Sequence, residues 1–86
     1  MSKKEVDFSN RDRFIELGLM IASLRKMQGM SQEKLAEKAK ISRSHLSSIE
    51  APNIVRPFSL EVLYNIADVL GVRAGDLLNA TLPPTK

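Results

Sequence analysis

The sequence has 86 residues, enough for one domain, and 43% of them are hydrophobic. Aromatic residues make up 5% and tryptophan is absent, so the core has to be aliphatic, which fits a helical bundle better than a sheet. The lack of cysteine excludes disulfides, thiolate metal sites and thiol nucleophiles. No apolar run approaches the roughly 20 residues that span a bilayer, and the N-terminus lacks the apolar stretch of a secretory signal. We therefore expect a cytoplasmic protein with no membrane partner.

The formal net charge of +3 is mild, but the charges are unevenly distributed. Residues 1–59 carry eleven lysines and arginines against seven acidic residues, whereas residues 60–86 carry two against three. A basic surface is typical of proteins that bind phosphates. On charge alone, an ordinary mixed surface explains the sequence equally well.

The chain begins with a polar, charged segment, residues 1–9, which we expect to be a mobile arm. Ser9 and Asp12 have the spacing of a capping box, which predicts a first helix from about Asn10. Gly29 is expected to end it. One face of this helix is marked at helical spacing by Phe14, Leu17, Ile21, Leu24 and Gln28.

Residues 31–50 predict two short helices separated by a tight turn. Ser31 is suited to cap the first, at about residues 32–39, and Ser42 the second, at about residues 43–50. The second helix has two apolar positions and is otherwise small and polar, with one arginine. Such a helix is presented to a partner rather than used to build a core.

The remaining chain predicts a loop at residues 53–58, a helix after Ser59 that Gly71 ends, and a short helix at residues 74–79. The predicted apolar face of the longer helix consists of Leu60, Leu63, Ile66, Ala67 and Leu70. Residues 80–86 contain two prolines and are expected to be a tail. The sequence thus predicts an all-α domain of five helices over residues 10–79.

This order of features resembles the phage-repressor (Cro-like, xenobiotic-response-element type) helix-turn-helix DNA-binding family. The resemblance covers about residues 14–79. The matching positions are Gly18, Ile21, Leu24, Arg25, Gly29-Met30-Ser31-Gln32, Leu35-Ala36, Ile41-Ser42, Leu46, Ile49, Glu50, Leu63, Ile66, Ala67, Leu70-Gly71-Val72 and Leu77-Leu78. It implies a repressor-type bundle whose helices 2 and 3 form the helix-turn-helix, with double-stranded DNA as partner. It implies no cofactor, metal or small-molecule ligand.

In helix-turn-helix proteins the second helix of the motif enters the major groove. The resemblance therefore implies base contacts from Arg43, Ser44, Ser48 and Gln32, and arginine can donate two hydrogen bonds to guanine. The alternative for Arg43 is an ordinary solvated surface arginine. The glutamine matching Gln32 reaches a phosphate or a base-contacting side chain in the family. The expected phosphate contacts, which fix register rather than sequence, are Gln32, Ser47, Asn53, Arg56 and Lys40.

By the same resemblance, Arg25 and Glu50 form an ion pair inside the domain; the alternative is that both are exposed and unrelated. Four features depart from the family pattern, one of them the apolar Ile54 and Val55 in a loop where relatives are often polar or basic. Lys40 stands where the turn usually has glycine, so either a left-handed lysine with strain on the order of 1 kcal/mol or a different turn is expected there. Pro52 replaces a frequent glycine after the second motif helix. Arg73 replaces the usual cap of the last helix.

Our leading hypothesis is a sequence-specific transcription regulator that represses by binding a palindromic operator as a homodimer. The expected dimer contacts are Ile54, Val55, Leu77 and Leu78; alternatively, the two leucines only seal the bundle. The competing hypothesis is a protein-interaction module of the same fold, antitoxin-like or a repressor partner, that binds through residues 53–58 and the last helix. An enzyme is not expected, because the sequence shows no paired carboxylates, nucleophile–base set or phosphate loop.

Overall fold

The computed structural model describes residues 10–79. Over this range the chain forms five helices and no strand, which confirms the predicted all-α class: α1 (Arg11–Met27), α2 (Gln32–Ala39), α3 (Arg43–Glu50), α4 (Leu60–Leu70) and α5 (Ala74–Asn79). The expected arm at residues 1–9, its capping serine Ser9 and the expected tail at residues 80–86 lie outside the described residues. None of the five helices has the length and apolar composition needed to cross a membrane.

Serine hydroxyls begin three of the helices, as predicted. Ser31, Ser42 and Ser59 each accept a hydrogen bond from the backbone N–H three residues later, at 3.0, 2.9 and 3.1 Å. The last helix begins differently: the Asp76 carboxylate reaches back and accepts from the backbone N–H of Arg73 at 3.2 Å. This is the reverse half of a capping box, so α5 begins at the predicted residue without a capping hydroxyl.

The hydrophobic core receives side chains from all five helices. Its members are Leu17, Ile21, Leu35, Ala36, Ala39, Leu46, Ile49, Leu63, Ile66, Ala67, Leu70 and Leu77. Helix α4 packs against α2, α1 and α5, and α1 also packs against α3 and α5. The motif helices α2 and α3 thus lie on one side of the bundle, with α1 behind α3 and α4 behind α2.

The apolar face predicted for α4 is wrong at one position. Leu60 is 65% exposed, whereas Leu63 is 4% exposed. Leu60 is the first residue of α4, and Leu63 is the first residue of this helix that reaches the core, so the initial turn lies beyond the packed layer. Leu60 is therefore a surface residue.

Candidate nucleic-acid interface

The turn between α2 and α3 has the strained residue that the sequence predicts. Lys40 ends α2 in a left-handed conformation, with φ 65° and ψ 38°. Its N–H donates to Glu37 O, and the N–H of Ile41 donates to Ala36 O at 3.0 Å. These two bonds satisfy carbonyls that the helix end leaves open and offset the cost of a left-handed lysine. The chain then extends through Ser42 and starts α3.

Helix α3 is attached to the bundle along one side only. Leu46, Ile49 and Glu50 are its buried residues. Behind the end of α3 lies Gly18 of α1, where a Cβ atom would overlap the carbonyl oxygen of Ile49. The glycine thus allows the two backbones to approach closely, and the opposite side of α3 remains open to solvent.

A buried ion pair joins α1 to the end of α3. Arg25 donates from Nε to Glu50 Oε2 and from Nη2 to Glu50 Oε1, both at 2.9 Å. The third nitrogen, Nη1, donates to Met30 O at 2.7 Å. The two side chains are 9% and 4% exposed. The geometry is the bidentate arginine–carboxylate pair predicted from the sequence, and it also holds the loop that precedes α2.

The structure adds a partner that the sequence did not reveal. Gln32, the first residue of α2, donates from Nε2 to Glu50 Oε1 at 2.9 Å. The resemblance implied only contacts of Gln32 to DNA or to a base-contacting side chain. The Gln32 side chain is half-buried, and one of its amide hydrogens is used inside the protein. Gln32 and Glu50 lie 18 positions apart on different helices, so only the packing of α2 and α3 brings them together.

The predicted DNA-contacting residues surround α3. Arg43, Ser44 and Ser47 are exposed on the helix, Lys40 is exposed in the turn before it, and Asn53 and Arg56 are exposed in the loop after it. Ser48 is half-buried and donates its hydroxyl proton to His45 O at 2.8 Å, so its oxygen can still accept.

His45 lies half-buried on α3. Partial burial, and then the positive charge of Arg56, lower the pKa of His45 from its usual value. The charge of Arg56, in the loop after α3, therefore acts on a side chain of the presented helix.

One predicted dimer contact is wrong. Leu77 is completely buried in the core and has no surface to offer a second copy; for this residue, the alternative that it seals the bundle is correct. Leu78 is 56% exposed and lines a groove of about 310 Å³ between α5 and the start of α1. Ile54 is 46% exposed, and Val55 is half-buried.

This chain is similar in sequence to known proteins. The helix-turn-helix family model matches residues 21–77. The HTH-type transcriptional regulator SinR of Bacillus licheniformis is 41% identical over 63 residues, which cover 73% of this chain and 56% of that protein. The chain thus spans a little over half the length of this curated relative.

Two solved structures share the fold. SinR in complex with DNA is 40% identical with a TM-score of 0.67, covering 73% of this chain and 98% of that one. The complex of SinR and SinI is 38% identical with a TM-score of 0.68, covering 78% of this chain and 67% of that one. From the family match, these identities and the turn geometry, we conclude that the chain belongs to the Cro/C1-type helix-turn-helix family of DNA-binding transcription regulators.

Proposed function

We propose that this protein is a sequence-specific transcription regulator that inserts α3 into the major groove of double-stranded DNA. The observation that carries the proposal is the one-sided attachment of α3: three buried residues hold the helix, and Arg43, Ser44 and Ser47 face solvent. Helices presented in this way read base edges with their N-terminal residues. The SinR–DNA complex, 40% identical to this chain, supports the same use of the fold.

We assign the base contacts to three residues of α3. Arg43 donates two hydrogen bonds to guanine O6 and N7. Ser44 and Ser48 lie one helical turn apart on the same side of α3. Because Ser48 already donates its proton to His45 O, it acts as an acceptor and favours bases that offer an amino group, adenine or cytosine.

The phosphate contacts come from the residues that flank α3. Lys40 and Arg56 supply charge before and after the helix, and Ser47, Asn53 and Gln32 supply neutral polar groups. Phosphate contacts set the register of the protein on the duplex and carry most of the salt dependence.

We further propose that the protein acts as a homodimer on a palindromic operator and represses by occupying promoter DNA. One two-turn helix reads few base pairs, whereas two copies related by a two-fold axis read two half-sites about 34–36 Å apart. The exposed Leu78 and the apolar loop residues Ile54 and Val55 are the contacts we assign to this dimer. As a DNA regulator, the protein would work in the cytoplasm.

A second candidate is a protein-interaction module that uses the same fold to bind a different protein. The observation that favours it is the solved SinR–SinI complex, in which a protein 38% identical to this chain has a protein partner. The exposed Ile54 and Leu78 would then contact that partner rather than a second copy.

Selection of bound duplexes from a random pool, followed by affinity measurements at several salt concentrations, tests the proposal. We expect an enriched inverted repeat, and an affinity for it that falls by orders of magnitude between 50 and roughly 200 mM salt, because phosphate contacts release counterions. A pool that remains random would favour the interaction module. Tight binding that is independent of salt would contradict the phosphate contacts.

A further inference from the structure

Glu50, at the end of α3, accepts hydrogen bonds from α1 and from the start of α2. Its Oε2 accepts from Arg25 Nε, and its Oε1 accepts from Arg25 Nη2 and from Gln32 Nε2, all at 2.9 Å. The ion pair is a structural feature of the domain, but the third bond ends on a side chain at the start of α2. A residue in the core thus holds a residue assigned to the DNA surface.

The chemistry of Glu50 fixes which end of the Gln32 amide points inward. A carboxylate paired with arginine has no proton to donate and can only accept. The amide must therefore turn its nitrogen toward Glu50, because the opposite orientation would bring its oxygen against a carboxylate oxygen. One of the two N–H groups is used by this bond, and the nitrogen keeps a second N–H to donate.

We propose that Glu50 is a positioning residue for DNA binding: it holds the Gln32 amide so that its second N–H donates to a DNA phosphate beside the start of α2. The inference rests on the proposed DNA-binding function and makes it more specific. It assigns Gln32 to the phosphate contacts and removes it from the base contacts. Without Glu50, the amide is free to rotate and presents its oxygen, which a phosphate repels, as readily as its nitrogen.

Arg25 extends the same arrangement to the backbone. It donates to Met30 O, two residues before Gln32, as well as to Glu50. The Arg25–Glu50 ion pair thus holds both the loop before α2 and the Gln32 side chain at the start of α2. Gln32 is thereby fixed at both its backbone and its amide before DNA arrives, which reduces the entropy lost on binding.

The first test is Gln32→Ala in the full chain, with the selected operator duplex as the probe. We expect the affinity to fall about tenfold, equally for the best and for related sequences, with an unchanged salt slope because a neutral amide displaces no counterion. Gln28→Ala is the matched control: Gln28 also donates its amide to the protein, to Leu70 O at 2.8 Å, but lies at the end of α1. The Gln28→Ala variant should bind DNA as tightly as the parent protein.

The second test locates the phosphate. Operator duplexes are prepared with a single methylphosphonate at each position in turn, which removes the charge of one phosphate. At one position, the methylphosphonate should weaken DNA binding by the parent protein and leave binding by Gln32→Ala unchanged. If the methylphosphonate at every position weakens DNA binding by both proteins equally, Gln32 contacts no phosphate and the inference is wrong.

A double-mutant cycle then tests Glu50 itself, with Glu50→Gln as the second variant and affinities corrected for the folded fraction measured by circular dichroism. Glu50→Gln removes the charge and one of the two acceptor oxygens, so the Gln32 amide is held less firmly; binding should weaken several-fold in the parent, with no further effect in Gln32→Ala. Equal losses in both backgrounds would mean that Glu50 affects DNA binding independently of Gln32, and the positioning role would be wrong. If Glu50→Gln does not fold, the Gln32 and methylphosphonate results still decide whether Gln32 donates to a phosphate.

The two proposals fail in different ways. If the parent protein selects no duplex, the proposed DNA-binding function is wrong. If the parent binds its operator tightly and Gln32→Ala binds equally well, only the positioning role is wrong.

Discussion

At the scale of single residues, Gly18 determines how closely α1 approaches α3. An added Cβ would overlap the backbone oxygen of Ile49, which cannot rotate away as a side chain can. We expect Gly18→Ala to destabilise the protein by about 1–3 kcal/mol in urea unfolding, the usual cost of overpacking. Gly75→Ala in α5 is the control, since a Cβ there meets no atom within 4 Å and should leave the free energy of unfolding unchanged or raised.

The buried ion pair is the second residue-scale feature. Glu50→Ala leaves the Arg25 guanidinium buried without its partner and should cost about 3–5 kcal/mol of unfolding free energy. The loss is a large fraction of a small domain's stability. Glu37→Ala removes an exposed glutamate from α2 and is the control. A melting temperature of Glu50→Ala within a degree of the parent would show that the pair contributes little.

Arg43 and Arg56 distinguish base reading from phosphate binding. Arg43→Ala should cost about 1–3 kcal/mol of binding free energy and relax base choice at one position of each half-site. Arg56→Ala should weaken all sequences alike and reduce the salt slope by about one. Binding selection and salt titration of both variants provide the measurement. Identical, sequence-independent losses would contradict the separate roles.

At the scale of helices, the three serine caps allow a matched comparison. Ser42 begins the presented helix α3, and Ser59 begins α4 on the other side of the bundle. Replacing either by alanine should cost about 1 kcal/mol of unfolding free energy, because one backbone N–H loses its partner.

The two cap variants should differ in DNA binding. Ser42→Ala lets the first turn of α3 fray, and that turn holds Arg43 and Ser44, so operator affinity should fall several-fold. Ser59→Ala should bind like the parent at a temperature where both are folded. If both variants lost the same affinity, the first turn of α3 would have no special role in binding.

Helix positions were predictable from the sequence because local signals mark nearly every boundary. Ser31, Ser42 and Ser59 begin helices and Gly71 ends one, and each acts through atoms within a few residues of its own position. The left-handed Lys40 was also predictable, from the position of a turn that a family pattern defines.

Features that depend on how the helices pack together were less predictable from the sequence. Leu77 and Leu78 are adjacent leucines, and only the packing of α5 against α1 and α4 makes one core and the other surface. The bond between Gln32 and Glu50 joins the start of α2 to the end of α3 and follows from the angle between two helices. The cap from Asp76 was missed because the usual signal, a small polar residue before the helix, is absent.

At the scale of the whole molecule, the exposed apolar residues determine assembly in the proposed dimer. Leu78→Glu and Ile54→Glu each place a charge at an exposed apolar position and should leave the monomer folded while abolishing dimers. Operator affinity should then fall to that of a single half-site. Met27→Glu, at a residue that is 80% exposed on α1, is the control and should dimerise normally.

Sedimentation equilibrium at micromolar concentrations provides the measurement. A parent protein that remains monomeric at high concentration, and that binds an isolated half-site as tightly as the full repeat, would contradict the homodimer.

The division of α3 into an attached side and an open side has a consequence for how new specificities arise. Its buried residues, Leu46, Ile49 and Glu50, keep the helix in place, and substitutions at the exposed positions usually change stability by no more than about 0.5 kcal/mol. Mutation can therefore exchange the reading residues one at a time while every intermediate remains folded. A duplicated copy of this domain could acquire a different operator without passing through an unstable ancestor.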